Sequence, residues 1–283
     1  MSLPRKFTFI GGAEGSGTTL LLRLLSSPKD CASLGGNYWK LPDYPDPEPH
    51  YLAGAPDKVR YWLVDGPLGN YPDPKPLADA FRAANSRVWD RKLSFEEQDK
   101  ARLDWRAAMD HILTAPAFAE TSHYLFKRAF PFGPRDRLLT PDLWDIIELW
   151  PDVRIVVIYR DPKAAIYSAF RRNFAPDLRQ LAVVCSEQLT WLAGQVRAIG
   201  PDRIRIISYA RLCANPRAVL EPIADFCGIR FDQVNEAIRD EEMDTNSDSR
   251  WSRELSVQNC NWLNRFFHSG RLRQWEILET GCN

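Results

Sequence analysis

Phe7-Thr8-Phe9-Ile10-Gly11-Gly12-Ala13-Glu14-Gly15-Ser16-Gly17-Thr18-Thr19-Leu20-Leu21-Leu22 runs an apolar strand straight into a Gly-rich turn and the start of a helix. Such a turn holds phosphate. The backbone N–H groups of Gly15, Ser16, Gly17, Thr18 and Thr19 can converge on an anion at the positive end of a helix beginning near Thr18. The spacing Gly12-x4-Gly17 is that of a nucleotide-binding P-loop, yet Thr18 stands where an NTPase carries its phosphate-binding lysine. A bound phosphate here is therefore expected to anchor a ligand rather than to be the group transferred.

Outward from that loop, the chain has 283 residues, 45% of them hydrophobic, enough for one sizeable core, and the expectation is a single domain over residues 1–283. The formal net charge of zero argues against a general nucleic-acid binder, which would show a basic excess. Six cysteines have no CxxC or other metal-ligand spacing, so buried free thiols are expected and no metal is implied. No run reaches the roughly 18 to 20 apolar residues of a membrane span. A soluble, cytoplasmic protein without a cleaved leader is expected, since removing a leader would destroy the loop.

Further strands are predicted at Tyr61–Asp65, Tyr124–Phe126, Val153–Tyr159 and Ile204–Tyr209, separated by helical patterns. Strands alternating with helices imply crossovers, and hence an α/β fold with a mainly parallel sheet covered on both faces. The run 153–159 is almost continuously apolar and β-branched, as a central parallel strand should be. Helices are predicted over Arg179–Arg197, closed by Gly200-Pro201, and after Asn215-Pro216, closed by Gly228. Between Leu41 and Pro76 prolines interleave with Asp, Tyr and Trp, which reads as a loop insertion. Asp240–Ser249 is polar and acidic enough to be a mobile loop.

The strand at 153–159 delivers Arg160-Asp161-Pro162 at its carboxyl end, the edge where open parallel sheets bind ligands. Asp161 and Pro162 suit the N-cap and first position of a helix that also carries Ser168. Arg160 and Ser168 could clamp a phosphate, through paired charge-assisted bonds and a hydroxyl; alternatively, Asp-Pro serves only to start the helix.

With these residues in view, the sequence resembles the sulfotransferases that use 3′-phosphoadenosine 5′-phosphosulfate (PAPS). Gly15-Ser16-Gly17-Thr18-Thr19 looks like their 5′-phosphosulfate loop, and Arg160-Asp161-Pro162-Lys163 with Ser168 looks like their 3′-phosphate motif. Lys127, followed by Pro131, Leu138-Leu139 and Pro141, resembles the segment that begins with the family's catalytic lysine. Ser208-Tyr209-Ala210-Arg211-Leu212, with Asn215-Pro216 and Ala224–Ile229 after it, resembles the strand end and helix whose tyrosine lies near the adenine. Gly270 and Trp275 are only vaguely similar to the family's C-terminal loop.

The chain also departs from that pattern. The family's basic residue before Ser-Gly-Thr-Thr is Gly15 here, preceded by Glu14, and the histidine two residues after the lysine is Ala129. A carboxylate beside a phosphosulfate needs a partner, so Glu14 is expected to contact Lys127, Arg160 or Arg23, or to face the acceptor. Lys127 is the candidate for neutralising charge on the leaving group. Glu48 and His50 are the candidate general bases, with His123 as a further one; His111 and His268 read as structural. Tyr38, Trp39, Tyr44, Tyr51, Tyr61, Trp62 and Tyr71 either line an acceptor cleft or pack the Pro-rich insertion.

The resemblance implies a three-layer, P-loop NTPase-like fold. Its activity would be sulfuryl transfer from PAPS to a hydroxyl or amine, with adenosine 3′,5′-bisphosphate as product and no metal. Glycans, glycolipids and phenols stay open as acceptors, and the oligomeric state is equally open. An ATP-dependent small-molecule kinase and a non-catalytic nucleotide-binding protein remain the competing readings.

Overall fold

The apolar runs that fall among the described residues become strands. The computed structural model describes residues 5–33, 93–114, 119–129, 143–173, 177–241 and 243–268. Five strands are present among them: β1 (Lys6–Gly12), β2 (Cys31–Ser33), β3 (His123–Ala129), β4 (Arg154–Tyr159) and β5 (Ile204–Ser208). They run parallel in the order β2-β3-β1-β4-β5 and are flanked by helices, the α/β architecture predicted above. In register, Phe9 lies opposite Ile155 and Gly11 opposite Val157, while Ile155 lies opposite Ile204 and Tyr159 opposite Ser208. β4 is the strand between β1 and β5, and Ile155 to Ile158 are fully buried, which explains its unbroken apolar character.

The helices are α1 (Thr18–Leu25), α2 (Phe95–Ile112), α3 (Leu143–Leu149), α4 (Pro162–Arg171), α5 (Leu178–Ile199), α6 (Tyr209–Ala214), α7 (Pro216–Cys227), α8 (Phe231–Asp240), α9 (Arg250–Glu254) and α10 (Val257–His268). Their ends are written in short polar residues. Asp161 caps α4 by accepting from the Lys163 N–H at 2.8 Å, with Pro162 at the first position. Asp177 caps α5 through the Arg179 N–H at 2.9 Å, and Gly200 terminates it. Asn215 accepts from the Ala218 N–H at 3.3 Å to start α7, which Gly228 ends in the left-handed conformation. The predicted last strand is one residue too long, because Ser208 caps α6 through the Arg211 N–H and Tyr209 opens the helix.

The chain divides into two compact units. The first comprises Met1–Phe7, Lys29–Phe126 and Pro134–Val153, and its core centres on Trp150. The Trp150 ring lies 4.6 Å from Phe126, 5.0 Å from Trp105 and 5.2 Å from Phe7, centroid to centroid. The second unit comprises Thr8–Pro28, Lys127–Gly133 and Arg154–Asn283, and it contains the loop after β1, the end of β4 and the helices from α4 onward. The predicted strand at Tyr61–Asp65 and the Pro-rich stretch at 41–76 lie outside the described residues. No helix among the described residues is long and apolar enough to cross a membrane.

Candidate functional site

Three close approaches shape the loop after β1, each requiring a missing Cβ. At Gly12 a Cβ would lie 2.4 Å from the Ser16 hydroxyl and 2.5 Å from the Ile158 carbonyl, so the turn folds flat against β4. Gly15 adopts φ +82°, and a Cβ there would sit 2.4 Å from the Ala165 carbonyl of α4. Gly17, at φ +102°, has the Tyr209 ring where its Cβ would be, 2.5 Å away. The Ser16 N–H closes the turn onto the Ala13 carbonyl at 3.0 Å, and the Leu21 N–H takes the Gly17 carbonyl at 3.1 Å. No acidic residue lies in the first turn of α1, which leaves the positive end of the helix uncompensated from within.

Ser16 is buried, and its hydroxyl has no hydrogen-bond partner among the described residues. An orphaned hydroxyl costs about 1–3 kcal/mol unless something accepts or donates there. An anion on the loop amides is the group such a hydroxyl fits. Thr18 is buried and Thr19 half-buried, at the start of α1.

Arg160 follows β4 directly and is 8% exposed. Its Nη1 donates to the Gly15 carbonyl at 3.1 Å, its Nε donates to Asp248 Oδ1 at 2.5 Å, and its guanidinium lies 4.3 Å from the Tyr209 ring centroid. The ring contributes a cation–π attraction of about 0.5–2 kcal/mol. Thus Gly15, Gly17, Arg160 and Tyr209, singled out separately in the sequence, meet at one place. Tyr209, expected beside an adenine, packs here between the loop and the guanidinium; burial raises its phenol above the ordinary value, and its oxygen accepts from Ser247 at 3.3 Å.

Ser168 lies on α4, and helical register sets it beside residues that touch the loop. Ala165, whose carbonyl touches Gly15, and Arg172, which pairs with Glu14 at 3.5 Å, flank it at three and four residues on one face of α4. One ion pair joins Glu14 to Arg172, a residue that was not anticipated as its partner. Arg23 instead pairs with Glu241 and Arg160 with Asp248. These pairings link positions far apart in sequence, and no local pattern announces them.

Asp240–Ser249, read as a mobile loop, is built into the site. An Asx turn at Asp244, accepting from the Asn246 N–H at 2.9 Å, leads into a single 3₁₀ turn over Ser247–Ser249. That turn sets Asp248 against Arg160. The buried guanidinium and the Tyr209 hydroxyl give the polar segment partners that its composition does not reveal.

Lys127 lies two residues before the carboxyl end of β3, the neighbour of β1, and therefore on the same sheet edge as the loop. It belongs to the second unit with the loop and Arg160, and is half-buried. Glu48, His50, the aromatic residues from Tyr38 to Tyr71, and Gly270 and Trp275 lie outside the described residues.

His123, by contrast, opens β3 at the amino end, roughly 13 Å of strand before Lys127. Its N–H donates to the Asp30 carbonyl at 3.1 Å. Burial first, then the Lys6 charge, lowers its pKa from 6.5 to about 4, against the opposing pull of Asp30. Because the unfolded imidazole takes up a proton more readily, stability should fall as pH drops from 6.5 towards 4, by about 3 kcal/mol in all. Urea unfolding of the His123→Gln protein should show a flatter acid limb in that window; an unchanged slope would remove His123 as its source.

The chain matches the Sulfotransferase family over residues 8–233. No curated protein matches it. Among solved structures, a sulfotransferase from Alicyclobacillus acidocaldarius aligns at 14% identity, covering 100% of this chain and 96% of that one, with a TM-score of 0.53. A sulfotransferase domain from the curacin biosynthetic pathway aligns at 12% identity over 95% of this chain and 99% of that one, also with a TM-score of 0.53. Retinol dehydratase in a complex with retinol and PAP aligns at 12% identity over 96% and 82%, with a TM-score of 0.45.

Proposed function

This chain belongs to the Sulfotransferase family, and from that premise we propose that it transfers a sulfuryl group from PAPS to a hydroxyl or amine of an acceptor. One observation carries the reading. The two anion-binding elements recognised in the sequence touch each other, Arg160 Nη1 reaching the Gly15 carbonyl at 3.1 Å, so one small doubly anionic ligand can engage both.

In this reading the amides of Gly15, Gly17, Thr18 and Thr19, with the Ser16 hydroxyl, hold the 5′-phosphosulfate. Arg160 and Ser168 hold the 3′-phosphate, and Tyr209 fixes the guanidinium plane. PAPS supplies the sulfuryl group when bound. Lys127, on the same edge of the sheet, neutralises charge that builds on the departing bisphosphate. The Glu14–Arg172 pair keeps a carboxylate next to the loop from repelling the donor. Glu48 or His50 takes the proton from the acceptor. Flat hydroxylated acceptors such as phenols and sugars suit the aromatic residues between Tyr38 and Tyr71.

Thermal unfolding with adenosine 3′,5′-bisphosphate tests this. Without any metal, the bisphosphate at a hundred times its Kd should stabilise the protein by about 2.7 kcal/mol, while ATP with Mg²⁺ should leave the melting temperature in place. The reverse pattern would favour a kinase. Binding of the bisphosphate with no release of product across a panel of hydroxyl and amine acceptors would reduce the protein to a nucleotide binder.

A further inference from the structure

Arg160 already holds an anion. The Asp248 carboxylate accepts from Nε at 2.5 Å, in the position where a phosphate oxygen would accept from an arginine clamp. We propose that Asp248 is a built-in competitor for this site, and that the Ser247–Ser249 turn must release Arg160 before a phosphate or sulfate group can bind there.

Charge supports it first. Asp248 sits on the Arg160 guanidinium, and Asp161 lies near enough to feel it: the Asp161 carboxyl is raised above its ordinary pKa mainly by burial, with Asp248 adding to the rise and Lys163 opposing it. An incoming phosphate on Arg160 would stand beside the Asp248 carboxylate, which is unfavourable unless that carboxylate leaves. Asp161 cannot leave without uncapping α4.

Asp248 can. Its side chain is 26% exposed against 7% for Arg160, and its turn is tied internally: the Ser247 N–H bonds the Asp244 carbonyl at 3.2 Å and the Ser249 N–H bonds the Asn246 carbonyl at 3.1 Å. Arg250 adds an ion pair with Asp244 at the base of the turn. The polar links that tie the turn to the clamp are Asp248 to Arg160 and Ser247 to the Tyr209 hydroxyl. None of the turn's internal hydrogen bonds runs through Arg160, so the Asp248 carboxylate can leave the guanidinium while they persist. Nor does Arg160 need Asp248 for its aim, because the Gly15 carbonyl and the Tyr209 face already fix the guanidinium.

The consequence is a population equilibrium: affinity for the anion is reduced by the fraction of molecules in which Asp248 sits on Arg160. The incoming group is the donor's 3′-phosphate only on the proposed function, whereas the competition applies to any phosphate or sulfate. Inorganic phosphate and adenosine 3′,5′-bisphosphate should therefore be titrated separately, by calorimetry, into the native protein and into Asp248→Asn and Asp248→Ser. Both variants should bind inorganic phosphate roughly 5- to 20-fold more tightly. In the native protein, saturating phosphate should speed amide exchange over Ser247–Arg250. Equal or weaker phosphate affinity in the folded variants, or unaltered exchange in the native protein, overturns the proposal. A gain for phosphate with no added affinity for the bisphosphate would sink the donor reading and leave the competition standing.

Discussion

Replacing Arg160 by alanine should weaken binding of adenosine 3′,5′-bisphosphate by about 2 to 4 kcal/mol, or roughly 30- to 1000-fold in Kd. The size follows from burial. At 8% exposure the guanidinium acts where water screens little, and no described lysine or arginine makes the same contacts with Gly15 and Tyr209. Arg160→Lys should recover only a small part of the loss, because an ammonium cannot bond Gly15 and an anion in one rigid plane while stacking on Tyr209. Calorimetric titration of the three proteins checks this, with melting curves to confirm folding. Equal affinities would take Arg160 out of the binding site.

A side chain at position 15 should cost the fold itself about 2 to 4 kcal/mol. Gly15 sits at φ +82°, where an L-residue loses roughly 1–2 kcal/mol. Its missing Cβ is also replaced by a backbone oxygen, the Ala165 carbonyl at 2.4 Å, which belongs to α4 and cannot rotate aside. Gly15→Ala should lower the urea midpoint accordingly, and so should Gly15→Lys. A Gly15→Lys protein as stable as the native one would mean that α4 can back away from the loop. The bare glycine at this position is thus coupled to how tightly α4 closes on the turn.

What could be read from the residues was whatever a few neighbours decide among themselves. The strand-turn-helix at Lys6–Leu25, the Asp161-Pro162 start of α4 and the Asn215-Pro216 to Gly228 limits of α7 are all local chemistry, and all stand where expected. β2 escaped notice because Cys31–Ser33 is three residues without periodicity, a strand only by virtue of pairing with β3. The candidate site divides the same way. Gly15, Gly17 and Arg160 announce themselves by motif, whereas Asp248 meets Arg160 across 88 positions and Arg172 meets Glu14 from the far end of a helix. Long-range ion pairs between ordinary charged residues leave no trace in spacing. Composition alone made a loose loop of the segment that carries Asp248.

β1 and β4 are bonded neighbours in register, Gly11 opposite Val157, and each feeds one of the two anion-binding elements proposed above within a few residues of its end. Adjacent strands stand about 4.8 Å apart. The sheet therefore works as a ruler: substitutions in the surrounding turns can tighten or loosen the grip at either mark, but the gap between the marks is set by backbone bonding in the core. Loop variation can tune how strongly this protein selects a ligand far more readily than it can change the separation of negative groups that the ligand must have.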